Sequence, residues 1–174
     1  AVVSENRLTK VPPDTDFELC CLLADTLTTG FGIINNDAKL KAGESVVIFG
    51  VGGIGLGVVL GAKLAGANPI IGVDLHDHKL AKAAEYGLTH TINASREKAD
   101  ERVMEILSGL ADVTIDGTGN PKVIETAYDL AKLRGGRCVL FGVMPSDQRV
   151  SIHTLPLHFG RVLTGSEGGQ SQPD

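Results

Sequence analysis

The sequence predicts an α/β domain: a doubly wound parallel sheet with helices on both faces. Three observations carry that expectation. After residue 45, short β-branched runs alternate with longer helix-like runs. The strand-like runs start every 20 to 25 residues, at 46, 70, 90, 113 and 138, which is the length of one strand–helix unit and not a repeat of sequence. A glycine-rich turn, Gly50-Val51-Gly52-Gly53-Ile54-Gly55, joins the first strand to the helix after it. Strands that alternate with helices are buried on both faces, and right-handed crossovers leave few topologies.

Each element has its own signal. Residues 16–36 read as helix in two pieces, broken at Asp25. "LKAGESVVIFG" is a polar turn leading into a first strand, Val46–Phe49. The further strands are expected at 70–73, 90–92, 113–115 and 138–141, with helices at 54–65, 79–86, 98–107 and 122–132. Past Pro145 the pattern suggests a short strand, a helical turn and a last strand at 161–164. "EGGQSQPD" carries no packing signal and reads as a cut end.

Composition narrows the function classes. The chain has 174 residues, 43% of them hydrophobic and 21% charged, with a net charge of −5, so it is long enough to bury a substantial core. It has no tryptophan and no basic patch with interleaved aromatics, which argues against nucleic acid. The start lacks the basic and apolar regions of a signal peptide, and Cys20, Cys21 and Cys138 form no CxxC, a pattern that fits a reducing cytoplasm. Ser45 to Ala62 is a charge-free run about as long as a membrane span. A strand, a glycine turn and a helix fill that run better, so no membrane partner is expected.

The glycine turn matches G-x-G-x-x-G. The first glycine permits the tight turn, the second lets a pyrophosphate approach the backbone, and the third lets helix pack on strand. A helix N-terminus there offers N–H groups and partial positive charge to phosphates. The context agrees: a strand precedes the motif, a helix and a second strand follow, and Asp74 ends that strand 19 residues beyond Gly55. An acid in that place grips a ribose hydroxyl and repels a 2′-phosphate. No arginine follows in "DLHDHK", so NAD is expected rather than NADP. The competing readings are a tightly packed βαβ unit without a ligand and a methyltransferase-type sheet. The latter usually carries an acid in its first strand, and "SVVIFG" has none.

Six ordered blocks then make the pattern more specific: "CLLADTLTTGFG", "LKAGESVVIFGVGGIGLG", "GVDLHDHKLAKAAEYG", "DVTIDGTGN", "GGRCVLFGV" and "RVLTG". Together they resemble the cofactor domain of zinc-type, medium-chain alcohol dehydrogenases, a Rossmann domain. The resemblance implies that Thr29 sits behind the nicotinamide and Ile54 presses its other side. It places Asp74 and Lys79 on the adenosine ribose and Thr118 along the adenine side. Phe141 and Val143, flanking Gly142, would meet the carboxamide with backbone groups. Lys79 also reads as a solvated lysine, and Phe141 and Val143 as plain core. Asp25 stands where many members carry a zinc-ligating cysteine; it also reads as a helix-breaking or capping aspartate.

The resemblance further implies that residues 1–15 end a catalytic domain, 16–165 form the NAD-binding domain and 166–174 turn back toward the catalytic domain. The chain is then a fragment that binds NAD but has no catalytic residues of its own, zinc belonging to the intact enzyme. Cys20 and Cys21 are expected in the core. The expected partners are a dinucleotide, a small alcohol or polyol in the intact enzyme, and a second copy in a homodimer or homotetramer. Two rival functions remain: a zinc-free quinone or enoyl reductase, and an NAD(H)-binding module without turnover.

Overall fold

The structure, a computed structural model, describes residues 2–5 and 8–171. Its strands are β1 (Val46–Phe49), β2 (Ile70–Asp74), β3 (His90–Asn93), β4 (Val113–Asp116), β5 (Arg137–Leu140) and β6 (Val162–Gly165). They form one sheet in the order β3-β2-β1-β4-β5-β6, with every neighbouring pair parallel. The helices are α1 (Phe17–Asp37), α2 (Gly53–Leu64), α3 (Asp77–Tyr86), α4 (Ala99–Leu107), α5 (Pro121–Leu130) and α6 (Leu155–His158).

Alternation along the strands builds two cores. Val46 and Ile48 of β1 face one way and pack with Val58 of α2, Leu80 of α3, and Ile33 and Ile34 of α1. Val47 and Phe49 face the other way and pack with Val103 of α4 and Ala127 and Tyr128 of α5. A parallel sheet buried on both faces needs apolar side chains at every position of its central strand, and β1 is buried throughout. The register brings Phe49, Val73 and Asp116 level, so three strands end together at one edge.

Several boundaries differ from the sequence reading, each for a local reason. α5 stops at Leu130 because Ala131 turns extended and bridges Ala111. β6 starts one residue late: the Arg161 amide closes α6 on Pro156, and the ladder to β5 begins with the Val162 amide on Gly136. No strand forms between Pro145 and α6.

The break expected at Asp25 does not occur. α1 is a single helical run of 21 residues, with wider π-turns at Leu23–Leu27 and Ile33–Asp37. The Thr28 hydroxyl donates to the Leu23 and Asp25 carbonyls (3.1 and 3.2 Å) and so satisfies oxygens that the wide turn releases. α1 is long and apolar enough, by length and composition, to cross a membrane. Its second half instead packs on α2: a Cβ on Gly30 would lie 2.4 Å from the Gly57 backbone. Its first half buries nothing; Cys21 is exposed and Cys20 half-buried, so neither belongs to the core expected for them.

Residues 167–171 also pack, contrary to the expectation of a loose cut end. The turn Gly168–Gln170 lies on α1, where the Asn36 amide donates to the Gly169 carbonyl (2.9 Å) and the Ser171 hydroxyl to the Thr28 carbonyl (2.9 Å). The Ser166 hydroxyl donates to Asp37 (2.5 Å). Residues 172–174 lie outside the described residues.

Candidate functional site

The strand ends on either side of β1 create the site. The Gly50 amide donates to the Val73 carbonyl of β2 (2.8 Å), and the Gly117 amide donates to the Phe49 carbonyl (2.8 Å). Beyond these bonds the chain parts: β1 feeds α2 on one face, and β4 feeds α5 on the other. This is the topological switch point, where open α/β sheets leave a crevice. A cleft of about 830 Å³ opens there.

Nine of the twelve cofactor residues read from the sequence line this cleft: Gly50, Gly52, Gly53, Ile54, Gly55, Asp74, Lys79, Thr118 and Phe141. Gly50 takes φ +87°, a left-handed conformation that a side chain would strain. A Cβ on Gly55 would lie 2.2 Å from the Gly50 carbonyl oxygen, so only glycine lets α2 begin this close to the turn. A Cβ on Gly52 meets nothing within 4 Å and would project into open space at the helix start. No side chain caps α2. Its first amides and its partial positive charge are therefore left to whatever occupies the cleft.

Asp74 faces that helix end. Its Oδ2 accepts from the Val51 amide (3.1 Å) and its Oδ1 from the His76 amide (3.1 Å). The carboxylate thus ties the glycine turn to the end of β2. Each oxygen keeps a further lone pair for a hydroxyl group. Lys79, half-buried in the first turn of α3, lines the same wall.

Three expected residues do not line the cleft. Thr29 is buried in α1, and its hydroxyl donates to Asp25 Oδ1 (2.7 Å). Gly142 sits tightly under the β4 loop, where a Cβ would lie 2.4 Å from the Gly119 amide nitrogen. Val143 is 93% exposed, which removes the plain-core reading for it. The Phe141 ring packs against Gly117 at the cleft floor.

Asp116 is a site residue that the sequence reading missed. Fully buried at the end of β4, it accepts from the Thr118 hydroxyl (2.6 Å) and the Gly119 amide (3.0 Å), and so shapes the loop opposite the glycine turn. The available signal was an acid closing an apolar strand before Gly-Thr-Gly. A second omission is Arg96. Remote in sequence from "DLHDHK", it is brought by the fold to Asp77, with which it forms an ion pair.

A dinucleotide fits these residues, because the space at Gly52, the uncapped helix and the partly free carboxylate all face one crevice. These residues do not make a zinc site by themselves. Asp25 is exposed and already accepts from Thr29, and the described residues contain no group of three His, Cys, Asp or Glu side chains that could hold a metal.

A family profile described as zinc-binding dehydrogenase matches residues 53–173. The chain belongs to the zinc-binding dehydrogenase family. It is 38% identical to an S-(hydroxymethyl)glutathione dehydrogenase of Paracoccus denitrificans over 97% of its own length and 47% of that protein. It is 35% identical to an alcohol dehydrogenase class-2 isozyme of Oryctolagus cuniculus over 97% of the chain and 45% of the relative. The crystal structure of benzyl alcohol dehydrogenase from Acinetobacter calcoaceticus superposes with a TM-score of 0.91 at 29% identity, over 97% of this chain and 47% of that one. A zinc-binding dehydrogenase from Sinorhizobium meliloti, solved bound to NADP, gives a TM-score of 0.76 at 31% identity, over 82% and 42%. This member therefore spans about half the length of the curated relatives it matches, and that half is the family's nucleotide-binding half.

Asp116 supplies a pH test of the loop. Burial lifts its carboxyl above the ordinary carboxylate range, against the donors from Thr118 and Gly119 that pull it back. A raised value means that the folded chain holds this proton more tightly than the unfolded chain. The resulting stabilisation is full below the unfolded value of about 3.9 and is lost as pH rises through the folded one. Asp116→Asn keeps an acceptor oxygen and removes the titration. The stability of this variant relative to the unaltered chain should therefore increase as pH rises above about 4. Urea midpoints across a pH series measure it; a difference that stays flat or shrinks contradicts the burial account.

Proposed function

We propose that this chain binds a dinucleotide, NAD(H) in preference to NADP(H), as the cofactor half of a zinc-dependent alcohol or polyol dehydrogenase. The observation that carries the reading is the pairing of the uncapped α2, opening at an unfilled Gly52, with the Asp74 carboxylate in one crevice. Phosphates belong against the helix start and the adenosine ribose against Asp74. Ile54, beside the glycine turn, gives one wall for the nicotinamide. When bound, the nicotinamide exchanges a hydride with an alcohol carbon. The chain's own part is to hold the cofactor in one orientation and keep its phosphates paired.

Family membership and the alcohol dehydrogenases among its relatives support the alcohol reading. Asp25 is the one zinc ligand proposed here; a catalytic zinc takes three protein ligands, so the others come from outside these residues. The described residues alone should then bind cofactor without turning over an alcohol. The three cysteines are free thiols, consistent with a reducing cytoplasm.

Calorimetry with NADH and NADPH tests the cofactor assignment. A hydrogen bond to a charged group contributes about 1.5–3 kcal/mol, so NADH should bind roughly ten-fold to a hundred-fold more tightly. Asp74→Ala should remove most of that preference. Equal or tighter NADPH binding by the unaltered chain refutes it.

A second copy is proposed at the sheet edge. Among the described residues β6 has no strand on its outer side, and Val162, Leu155, Leu157 and Phe159 are all exposed. Since the Val162 and Ser166 amides bond inward to β5, alternation leaves the amides of Leu163 and Gly165 on the open edge. Symmetric self-pairing satisfies them. Hydrogen exchange at these two amides should slow as protein concentration rises through the dimer range. Concentration-independent exchange rules out pairing through β6.

A further inference from the structure

A second carboxylate stands just outside the end of the cleft that Asp74 lines. β2 leaves the sheet at Asp74; Leu75 and His76 line the cleft, and α3 begins at Asp77. On the neighbouring strand, β3 ends at Asn93, and the Ala94 amide donates to the Asp74 carbonyl (3.0 Å). Ala94 lines the cleft as well, and Arg96 follows two residues later. The fold therefore sets an arginine beside the loop that carries Asp74. That guanidinium donates to Asp77 Oδ2, while the Asn93 amide donates to Asp77 Oδ1 (2.5 Å).

We propose that Asp77 is a second determinant of cofactor choice: it occupies Arg96, the arginine that would otherwise receive a 2′-phosphate. This rests on the dinucleotide reading above. The two acids act differently. Asp74 faces the ribose and repels a phosphate there. Asp77 stands outside the ribose and engages a guanidinium that the fold sets beside this loop, and a guanidinium suits a phosphate because it pairs phosphate oxygens through two parallel donors.

The surroundings fit that division. The Asn93 amide first, and then Arg96, hold the Asp77 carboxyl below the ordinary carboxylate range, so it stays charged. Both partners are open to water, Arg96 at 70% and Asp77 at 56% exposure, and exposed ion pairs are weak. Substituting either partner therefore leaves the core undisturbed. Of the other basic groups, Lys79 lies in the cleft wall, and the His76 and His78 rings stack at 5.6 Å beside the loop. None of these three offers the forked donor set of Arg96.

The test is a double-mutant cycle on the 174-residue chain, read by calorimetric titration with NADH and with NADPH at one pH and ionic strength. Asp77→Asn keeps an oxygen for Asn93 and frees Arg96. NADPH should then bind about three-fold to five-fold more tightly, with NADH affinity changed less than about two-fold. Adding Arg96→Ala should return NADPH affinity to that of the unaltered chain. Asp77→Ser, which also suits a helix start, should repeat the gain if the asparagine variant folds poorly. The proposal is overturned if NADPH affinity does not rise in either variant, or if the rise survives Arg96→Ala. It is likewise overturned if NADH affinity rises equally. Failure of the unaltered chain to bind NADH is a different result: it refutes the dinucleotide reading and this proposal with it.

Discussion

The contact on which the site depends is the approach of α2 to the end of β1. The Gly55 backbone passes so close to the Gly50 carbonyl that a methyl group at Gly55 would lie 2.2 Å from that oxygen. Because the helix starts this near the strand, its free amides point into the crevice where β1 and β4 send their chains to opposite faces. A side chain at this crossing would push α2 away and would move the proposed phosphate site, the Ile54 wall and the α1 packing along with it. Gly57, two residues further on, repeats the constraint against α1, where its Cβ would lie 2.6 Å from the Thr26 carbonyl oxygen.

The two strands that flank β1 close the site with one device. Each ends in an aspartate whose carboxylate turns back to a loop amide: Asp74 to Val51 and Asp116 to Gly119. The surroundings then separate their roles. Asp74 is partly open, keeps acceptor capacity and is suited to a ligand. Asp116 is fully buried, satisfied by its own loop and raised toward the neutral form by burial. The first is the proposed cofactor contact; the second sets the shape of the wall opposite. α1 meets this arrangement through Thr26, which lies against α2 at Gly53 and Gly57.

Much of this was legible in the sequence because the strongest signals are local. β1 is a short apolar run between a polar turn and a glycine, and its bounds were read without error. The crevice followed from the motif and from Asp74, since strand, turn, helix and acid occur at fixed intervals. What escaped depends on pairing at a distance. The α5 end and the β6 start are set by partners in other elements, Ala111 and Gly136, that no local pattern reveals. One miss is local: α1 runs on past Asp25 through a π-turn where the Thr28 hydroxyl donates to the Leu23 and Asp25 carbonyls. Arg96 was invisible as a neighbour of Asp77 because parallel strands bring remote loops to the same edge. The packing of Gly168–Gln170 on α1 was missed for the same reason: its bonds to Asn36 and Thr28 cross most of the chain.

Gly52 offers the most direct measurement of the central claim that the start of α2 is a phosphate site. Its backbone is extended, at φ −73° and ψ −160°, and a Cβ there meets nothing within 4 Å. Gly52→Val should therefore keep the chain folded, lowering the unfolding free energy from urea titration by no more than about 2 kcal/mol, while filling the space a pyrophosphate needs. NADH titration of this folded variant should show binding weakened at least about a hundred-fold, as expected when charged hydrogen bonds at the helix start cannot form. A stable Gly52→Val chain that binds NADH as tightly as the original would contradict the account.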